Sequence, residues 1–196
     1  MSFTPAYFNE LVKARRSVFP DQFDPNRKVP DDIVKQIVEN ALWAPNHGQC
    51  QPWEFTVFTG DGLQKLATLQ SELYKQYAGA DFNDGKYQKL KQQPLKASHV
   101  IAIGMRRTTT KRIPEIEDIE AVACAVQNIY LSVTAYGIGG YWTTGGATYF
   151  EATKEFFGLG TADRMLGFFY IGQILVPSPA ATRLPLAEKM NWIDRD

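Results

Sequence analysis

The ten residues APNHGQCQPW, Ala44 to Trp53, carry one of the two histidines and one of the two cysteines of a 196-residue chain. Two glutamines and an asparagine stand beside them, and no carboxylate. A thiol nucleophile needs a base within hydrogen-bond reach and a third group to orient that base. His47 and Cys50 are three apart in a loop, a spacing that rarely gives such geometry, and Cys50 before Gln51 and Pro52 reads more simply as a half-buried small residue. Metal binding asks for clustered imidazoles, thiols or carboxylates. His47 and His99 are the only imidazoles, and no carboxylate lies near the first. His99 opens an apolar strand and reads as structural. The pairs Asp31/Asp32 and Glu117/Asp118 fall at predicted helix starts, where capping and the helix dipole account for them.

Two further stretches hold groups suited to phosphate or ring binding. GIGGYWTTGG, Gly137 to Gly146, has the outline of a dinucleotide fingerprint. That motif needs a strand before its glycines, a helix after them and an acidic residue about twenty positions on. Here a long predicted helix comes first and a strand follows, so the fingerprint is rejected. A helix C-cap accounts for the glycines, with Gly137 in the left-handed region and Gly139 and Gly140 turning the chain. Trp142, Thr143, Thr144 and Gly145 remain, and hydroxyls with backbone N–H groups at a turn can hold phosphate or ribityl oxygens. Arg15, Arg16 and Ser17 sit at another helix end. One arginine there satisfies the negative end of the helix dipole. Two guanidinium forks and a serine can also grip a phosphate dianion. From the residues alone both explanations stand.

These groups need elements to hold them. A short helix is predicted over 5–14. VPDDIVKQIVENALWAP is a second, opened by Pro30 and two aspartates, with Ile33, Ile37 and Ala41 four apart and Pro45 as its stop. EFTVFT alternates and is rich in aromatic and β-branched residues, so it reads as a strand. Residues 44–53 then form a helix-to-strand loop, where a rigid scaffold can display polar groups. Helices follow over about 63–77 and 86–93, then SHVIAIGMR as a central strand. Ile119, Val122, Val126, Ile129 and Val133 recur at spacings of three and four, giving a long helix over 117–136 that is buried on much of its surface. A short helix near 150–157 precedes the apolar strand MLGFFYIGQILV. After Pro177 the tail offers at most four apolar anchors, Leu184, Leu186, Met190 and Trp192, and is predicted to dock on a partner. Helices first, then strands alternating with helices, give an α+β or three-layer sandwich.

The length fits one domain, residues 1–196. Twenty-one basic residues balance 21 acidic ones, which leaves no net field to recruit nucleic acid or an anionic membrane. Lys86, Lys89, Lys91 and Lys96 read as one solvated helix face. The longest apolar run, Met165 to Val176, contains Gln173 and is too short for a membrane span. MSFTPAYFNELVKARRS has no apolar signal core, and two cysteines make no disulfide framework. A reduced, cytoplasmic setting is the expectation. Four tryptophans and 13% aromatic residues suit a core or a dimer interface as well as a flat ligand.

Four elements in order, RRS after the first helix, AP and QPW five residues apart, GIGGYW after the long helix and GFFYIGQ near the end, resemble the FMN-dependent nitroreductase family. The likeness is greatest to its compact branch of under 200 residues. The resemblance implies an α+β three-layer sandwich with a mixed, mainly antiparallel sheet, built as an intertwined homodimer with two FMN sites at the subunit interface. It implies hydride transfer from NADH or NADPH through FMN to nitroaromatics, quinones or related small-molecule acceptors, in ping-pong order. Carried over by position, Arg15, Arg16 and Ser17 hold the FMN phosphate and ribityl end. Trp43 and His47 reach FMN from the other subunit, and Trp142, Thr143 and Thr144 line it from the first. In this branch arginine often stands where the chain has Trp43 and Thr143. A non-catalytic flavin-binding dimer and a reductive dehalogenase or flavin-modifying relative are alternatives on the same fold. A bound flavin carries its own redox chemistry, so the protein need supply only binding, orientation and electrostatics. An acid-free loop of amides and imidazole matches that need.

Overall fold

Pro5 opens the first helix, α1 (Pro5–Ala14), at a position where the missing N–H costs nothing. The structure, a computed structural model of the single chain, describes residues 4–108 and 112–194. Asp31 and Asp32 sit in the first turn of α2 (Asp31–Ala41), where carboxylates favour the positive end of the dipole. Its buried residues, Val34, Ile37 and Ala41, recur at helical spacing. Then come β1 (Trp53–Thr59), α3 (Asp61–Tyr77), α4 (Asp84–Gln92), β2 (His99–Met105), α5 (Glu115–Ala135), β3 (Gly139–Thr143), α6 (Glu151–Phe156) and β4 (Arg164–Gly172).

The strand order is β1-β2-β4-β3. Every pairing is antiparallel, with Phe55 opposite Ile103, Ala102 opposite Phe168 and Tyr141 opposite Tyr170. The expected sandwich is present; the parallel component of a mixed sheet is absent among the described residues. Side chains alternate across the sheet, so each strand feeds two cores. One face carries Ile101, Ile103, Met105, Phe169 and Ile171 against α2 and α5. The other carries Val100, Ala102, Phe168 and Tyr170 against Leu63 and Leu66 of α3. All seven residues of β2 are buried, as a central strand covered on both faces requires.

The end of α5 corrects one expectation. Gly137 is left-handed at φ 67, as predicted. Ile138 N–H donates to the Val133 carbonyl and Gly137 N–H to that of Thr134, both at 3.0 Å, a Schellman closure. Gly139 and Gly140 do not turn the chain; they begin β3. Their lack of a side chain is spent on close packing instead. A Cβ at Gly140 would lie 2.7 Å from the Phe169 ring and 2.9 Å from Val133. The apolar run after Arg164 also stops pairing in β4 at Gly172, leaving one isolated bridge between Phe23 and Ile174. Residues 179–194 are exposed, with a single short turn at Leu186–Glu188.

Candidate functional site

The two arginines at the end of α1 have different tasks. Arg16 folds back, and its Nη1 donates to the carbonyls of Lys13 at 2.7 Å and Arg15 at 2.8 Å. That satisfies the carbonyl end of the helix, the role for which one arginine suffices. The Arg15 side chain takes no part in it. Its guanidinium lies over the ring of Tyr130 on α5, 5.0 Å from the centroid. Ser17 Oγ is 3.2 Å from the Tyr130 hydroxyl, which also accepts the Trp142 N–H at 2.9 Å. Val18 N–H donates to the Gly140 carbonyl at 2.9 Å. Residues 15–18 therefore run along the outer edge of β3, and Tyr130 stitches them to it.

Tyr130, only 8% exposed, escaped sequence reading. A phenol beside Ile129 on a nearly apolar helix face was the available signal, since a buried hydroxyl needs a partner.

Trp142 and Thr143 occupy successive β3 positions, so their side chains leave opposite faces of the sheet. Trp142 Nε1 donates to the Leu166 carbonyl at 2.9 Å, and its ring packs on the α5 side. Thr143 faces the α3/α4 side, where Gly145 N–H meets its Oγ1 at 3.4 Å. Thr144 is exposed.

Trp43 and His47 lie elsewhere. Trp43 follows α2 and is 83% exposed. His47 Nδ1 is 2.5 Å from Glu117 Oε2 at the start of α5. Thirteen residues of α5 separate Glu117 from Tyr130, a rise of about 20 Å. Within one chain His47 thus sits far from Arg15, Ser17 and Trp142. The Trp43 N–H, by contrast, donates at 3.3 Å to the Asn40 carbonyl, which also accepts from Asn128 of α5 at 3.2 Å, so Trp43 lies beside a nearer turn of that helix.

The loop that lacks acids in sequence receives two in space. Besides the Glu117 contact of His47, the Cys50 thiol donates to Asp118 Oδ1 at 3.5 Å. Asp118 is fully buried and also accepts from the Arg107 guanidinium and the Thr108 N–H. Glu117 and Asp118 therefore anchor the loop, beyond the capping role expected of them. Asn46 holds its waist, accepting the Gln51 N–H at 3.0 Å and donating to the Ala44 carbonyl at 3.2 Å. Gly48, Gln49 and Gln51 are left-handed at φ 57, 56 and 46. His99 is structural as expected: it is buried, with Nδ1 3.0 Å from Ser98 Oγ and Nε2 2.9 Å from Asp31 Oδ1. Among the described residues no cluster of three or more histidines, cysteines and carboxylates could hold a metal ion. Among them too, no helix is long and apolar enough to cross a membrane.

The lysine cluster is not one solvated face. Lys96 lies outside α4 and pairs with Asp21 at 2.5 Å. Lys86 and Lys89 border a cavity between α4 and the sheet, with Lys86 Nζ 4.7 Å from the Tyr74 ring centroid.

Two helical layers enclosing an antiparallel sheet make the fold an α+β sandwich. The sequence profile of the Nitroreductase family matches residues 12–173, and the chain belongs to that family. It is similar to YdjA of Escherichia coli strain K12, a provisionally named NAD(P)H nitroreductase, with 26% identity over 152 residues, 78% of this chain and 81% of that one. The crystal structure of a nitroreductase-like family protein from Bacillus cereus matches with a TM-score of 0.83 at 26% identity, covering 98% of each chain. A provisionally named nitroreductase of Desulfovibrio desulfuricans, solved in complex with FMN, shares the fold at a TM-score of 0.70 and 21% identity over the whole of both chains.

Proposed function

We propose that the protein is an FMN-dependent NAD(P)H oxidoreductase that works as a homodimer on nitroaromatic, quinone-like or related acceptors. The observation that carries this reading is the convergence of Arg15, Ser17 and Trp142 on Tyr130 at the edge of β3. Arg15 is half-buried and is not consumed in capping α1, so its fork is placed to take a phosphate with the Ser17 hydroxyl beside it. The donor set therefore fits the phosphate end of FMN. Trp142 and the backbone beyond Thr143 continue along the same edge toward where a flat ring would lie. When bound, FMN supplies the redox chemistry, taking a hydride from NADH or NADPH and passing electrons to the acceptor in ping-pong order. The protein positions and desolvates.

On this reading His47 reaches such a site from a second copy, given its separation along α5, and Trp43 is assigned to that same copy. Glu117 orients the His47 ring through Nδ1. Other surfaces agree with a dimer. No residue of α1 is buried, and α5 exposes Ile116, Ala123, Cys124 and Ala135, with Glu120 and Gln127 among them. The tail from 177 carries Leu186, Trp192 and Ile193 exposed, and an apolar groove between α2 and β1, lined by Val34, Val38, Leu42 and Val57, offers a partner's tail a seat. The segment from 177 is thus an extension of a single domain.

An absorbance spectrum of the purified protein, taken before and after anaerobic NAD(P)H, tests the reading. The expected result is a flavin band that bleaches on reduction and returns when an acceptor is added. A colourless protein that gains no flavin on incubation with FMN overturns it. Bound FMN that neither cofactor bleaches would leave a binding protein and remove the enzyme.

A further inference from the structure

The stretch that carries Arg15 and Ser17 has no regular structure of its own. Residues 15–19 run between α1 and a short turn at Pro20–Gln22. On one side β3 and Tyr130 hold it. On the other it is gripped by the residues that follow β4. The Asp24 N–H donates to the Gln173 carbonyl at 2.8 Å. The N–H groups of Leu175 and Val176 both donate to the Gln22 carbonyl, at 2.9 and 3.1 Å. The buried Phe23 ring sits where Gly139 and Gly172 face each other across β3 and β4. A Cβ would come within 2.7 Å of that ring at Gly139 and 2.4 Å at Gly172, so the fit requires both glycines.

Two side chains complete the grip. Ser178 Oγ donates to the Ser17 carbonyl at 2.7 Å, across 161 positions of sequence, and the same oxygen lies 3.4 Å from Gln22 Oε1. Gln22 uses both ends of its amide: Oε1 accepts the Phe19 N–H at 2.9 Å, and Nε2 donates to the Val176 carbonyl at 3.1 Å. The peptide between Ser17 and Val18 is therefore held at both ends, its N–H by the Gly140 carbonyl and its C=O by Ser178. Ser178 is half-buried and stands directly before the exposed residues 179–194.

We propose that Ser178, braced by Gln22, is a positioning residue for the phosphate grip: it fixes the Ser17 backbone before a phosphate arrives. A segment ordered on binding charges that lost entropy to the ligand, whereas one ordered beforehand does not. The phosphate role of Ser178 rests on the flavin function proposed above; its ordering of residues 17–19 does not. The root of the tail thereby becomes part of the cofactor site of its own chain, whatever the rest of the tail covers.

Titration of the flavin-free full chain with FMN and with riboflavin, which lacks the phosphate, tests the phosphate role. Ser178→Ala is expected to weaken FMN about fivefold, the worth of one ordinary hydrogen bond, and to leave riboflavin unchanged. Ser178→Thr keeps the hydroxyl and should restore FMN affinity. The alanine variant removes one oxygen from a half-buried site, so its urea midpoint and its mass by light scattering should match the parent's. Equal weakening of FMN and riboflavin, FMN affinity like the parent's, or a threonine variant that behaves like alanine overturns the proposal. Amide hydrogen exchange of the flavin-free protein reads the ordering by itself. The Val18 and Phe19 N–H groups should exchange about fivefold faster in Ser178→Ala, and unchanged protection there also overturns the proposal. A parent that takes up no flavin defeats the function proposed above and the phosphate role with it, while exchange still decides the ordering.

Discussion

The hydroxyl of Tyr130 accepts the Trp142 N–H and meets Ser17, while its ring supports Arg15 and packs edge-on against Phe169 at 4.7 Å between centroids. Tyr130→Phe keeps the ring contacts and removes the hydroxyl, so the Trp142 N–H loses its acceptor. The expected cost is about 1–3 kcal/mol of stability, read from the urea midpoint. FMN affinity should fall less than in Arg15→Ala, which leaves the fold intact and removes the fork. If Arg15→Ala retains full FMN occupancy in an absorbance titration, the phosphate role of Arg15 is wrong. Asp118 is the sharper case for stability. It is fully buried and serves the Arg107 guanidinium, the Thr108 N–H and the Cys50 thiol together. Asp118→Ala strands a partly buried guanidinium and should cost about 3–5 kcal/mol in the same measurement.

At the scale of elements, the short strand β3 shows how much of the molecule was legible and what was not. Helical periodicity and caps place α1 and α5 and the start of α2 to within about two residues, while α2 ends at Ala41, ahead of the expected stop at Pro45. The same letters GIGG suggest turning, since glycine is the common residue of turns. Only the three-dimensional neighbours, Phe169 and Val133 against Gly140, reveal glycine chosen for closeness within a strand. Gly140→Ala should therefore cost about 1–3 kcal/mol by overpacking, with the largest chemical-shift changes at Phe169 and Val133. The site was legible in the same measure. Arg15, Ser17 and Trp142 stand out as residue types, whereas Tyr130, Glu117 and Asp118 gain their roles from contacts across 12 to 113 positions that no local pattern encodes.

Strand β4 contributes a pH dependence. Burial pushes the Tyr170 hydroxyl well above its ordinary pKa of 10.0; the Gln70 hydrogen bond opposes this shift, and nearby Tyr141 adds to it. Tyr170 in the folded protein thus keeps its proton when the unfolded chain has lost it. The sign follows: its contribution is fully present below about pH 10 and declines as pH rises toward the folded value, by up to about 1.4 kcal/mol per pH unit. Tyr170→Phe should flatten that alkaline decline in urea midpoints measured between pH 9 and about 11. An unchanged slope would mean that other groups dominate it.

The whole molecule presents more apolar surface than a lone chain of this size would keep bare. Helix α1 leaves Tyr7 62% and Phe8 56% exposed, and the tail leaves Trp192 78% and Ile193 90% exposed. Such residues, strung along a segment with almost no structure of its own, gain little by folding back and much by covering another chain. The separation of His47 from Arg15 and Ser17 gives the proposed pairing a functional purpose, since in the proposed function His47 serves the cofactor site of the other copy. Light scattering should accordingly give twice the 22.1 kDa chain mass at micromolar concentration. Removing residues 177–196 should lower both the dimer fraction and FMN occupancy, because the proposed function gives one interface both tasks, covering the tail and completing the cofactor site. Trp192→Ser with Ile193→Ser provides the milder version, which leaves chain length unchanged and isolates the apolar contribution. A truncated chain that stays dimeric and yellow would show that the contacts of α1 and α5 suffice, and would strip the tail of its part in assembly.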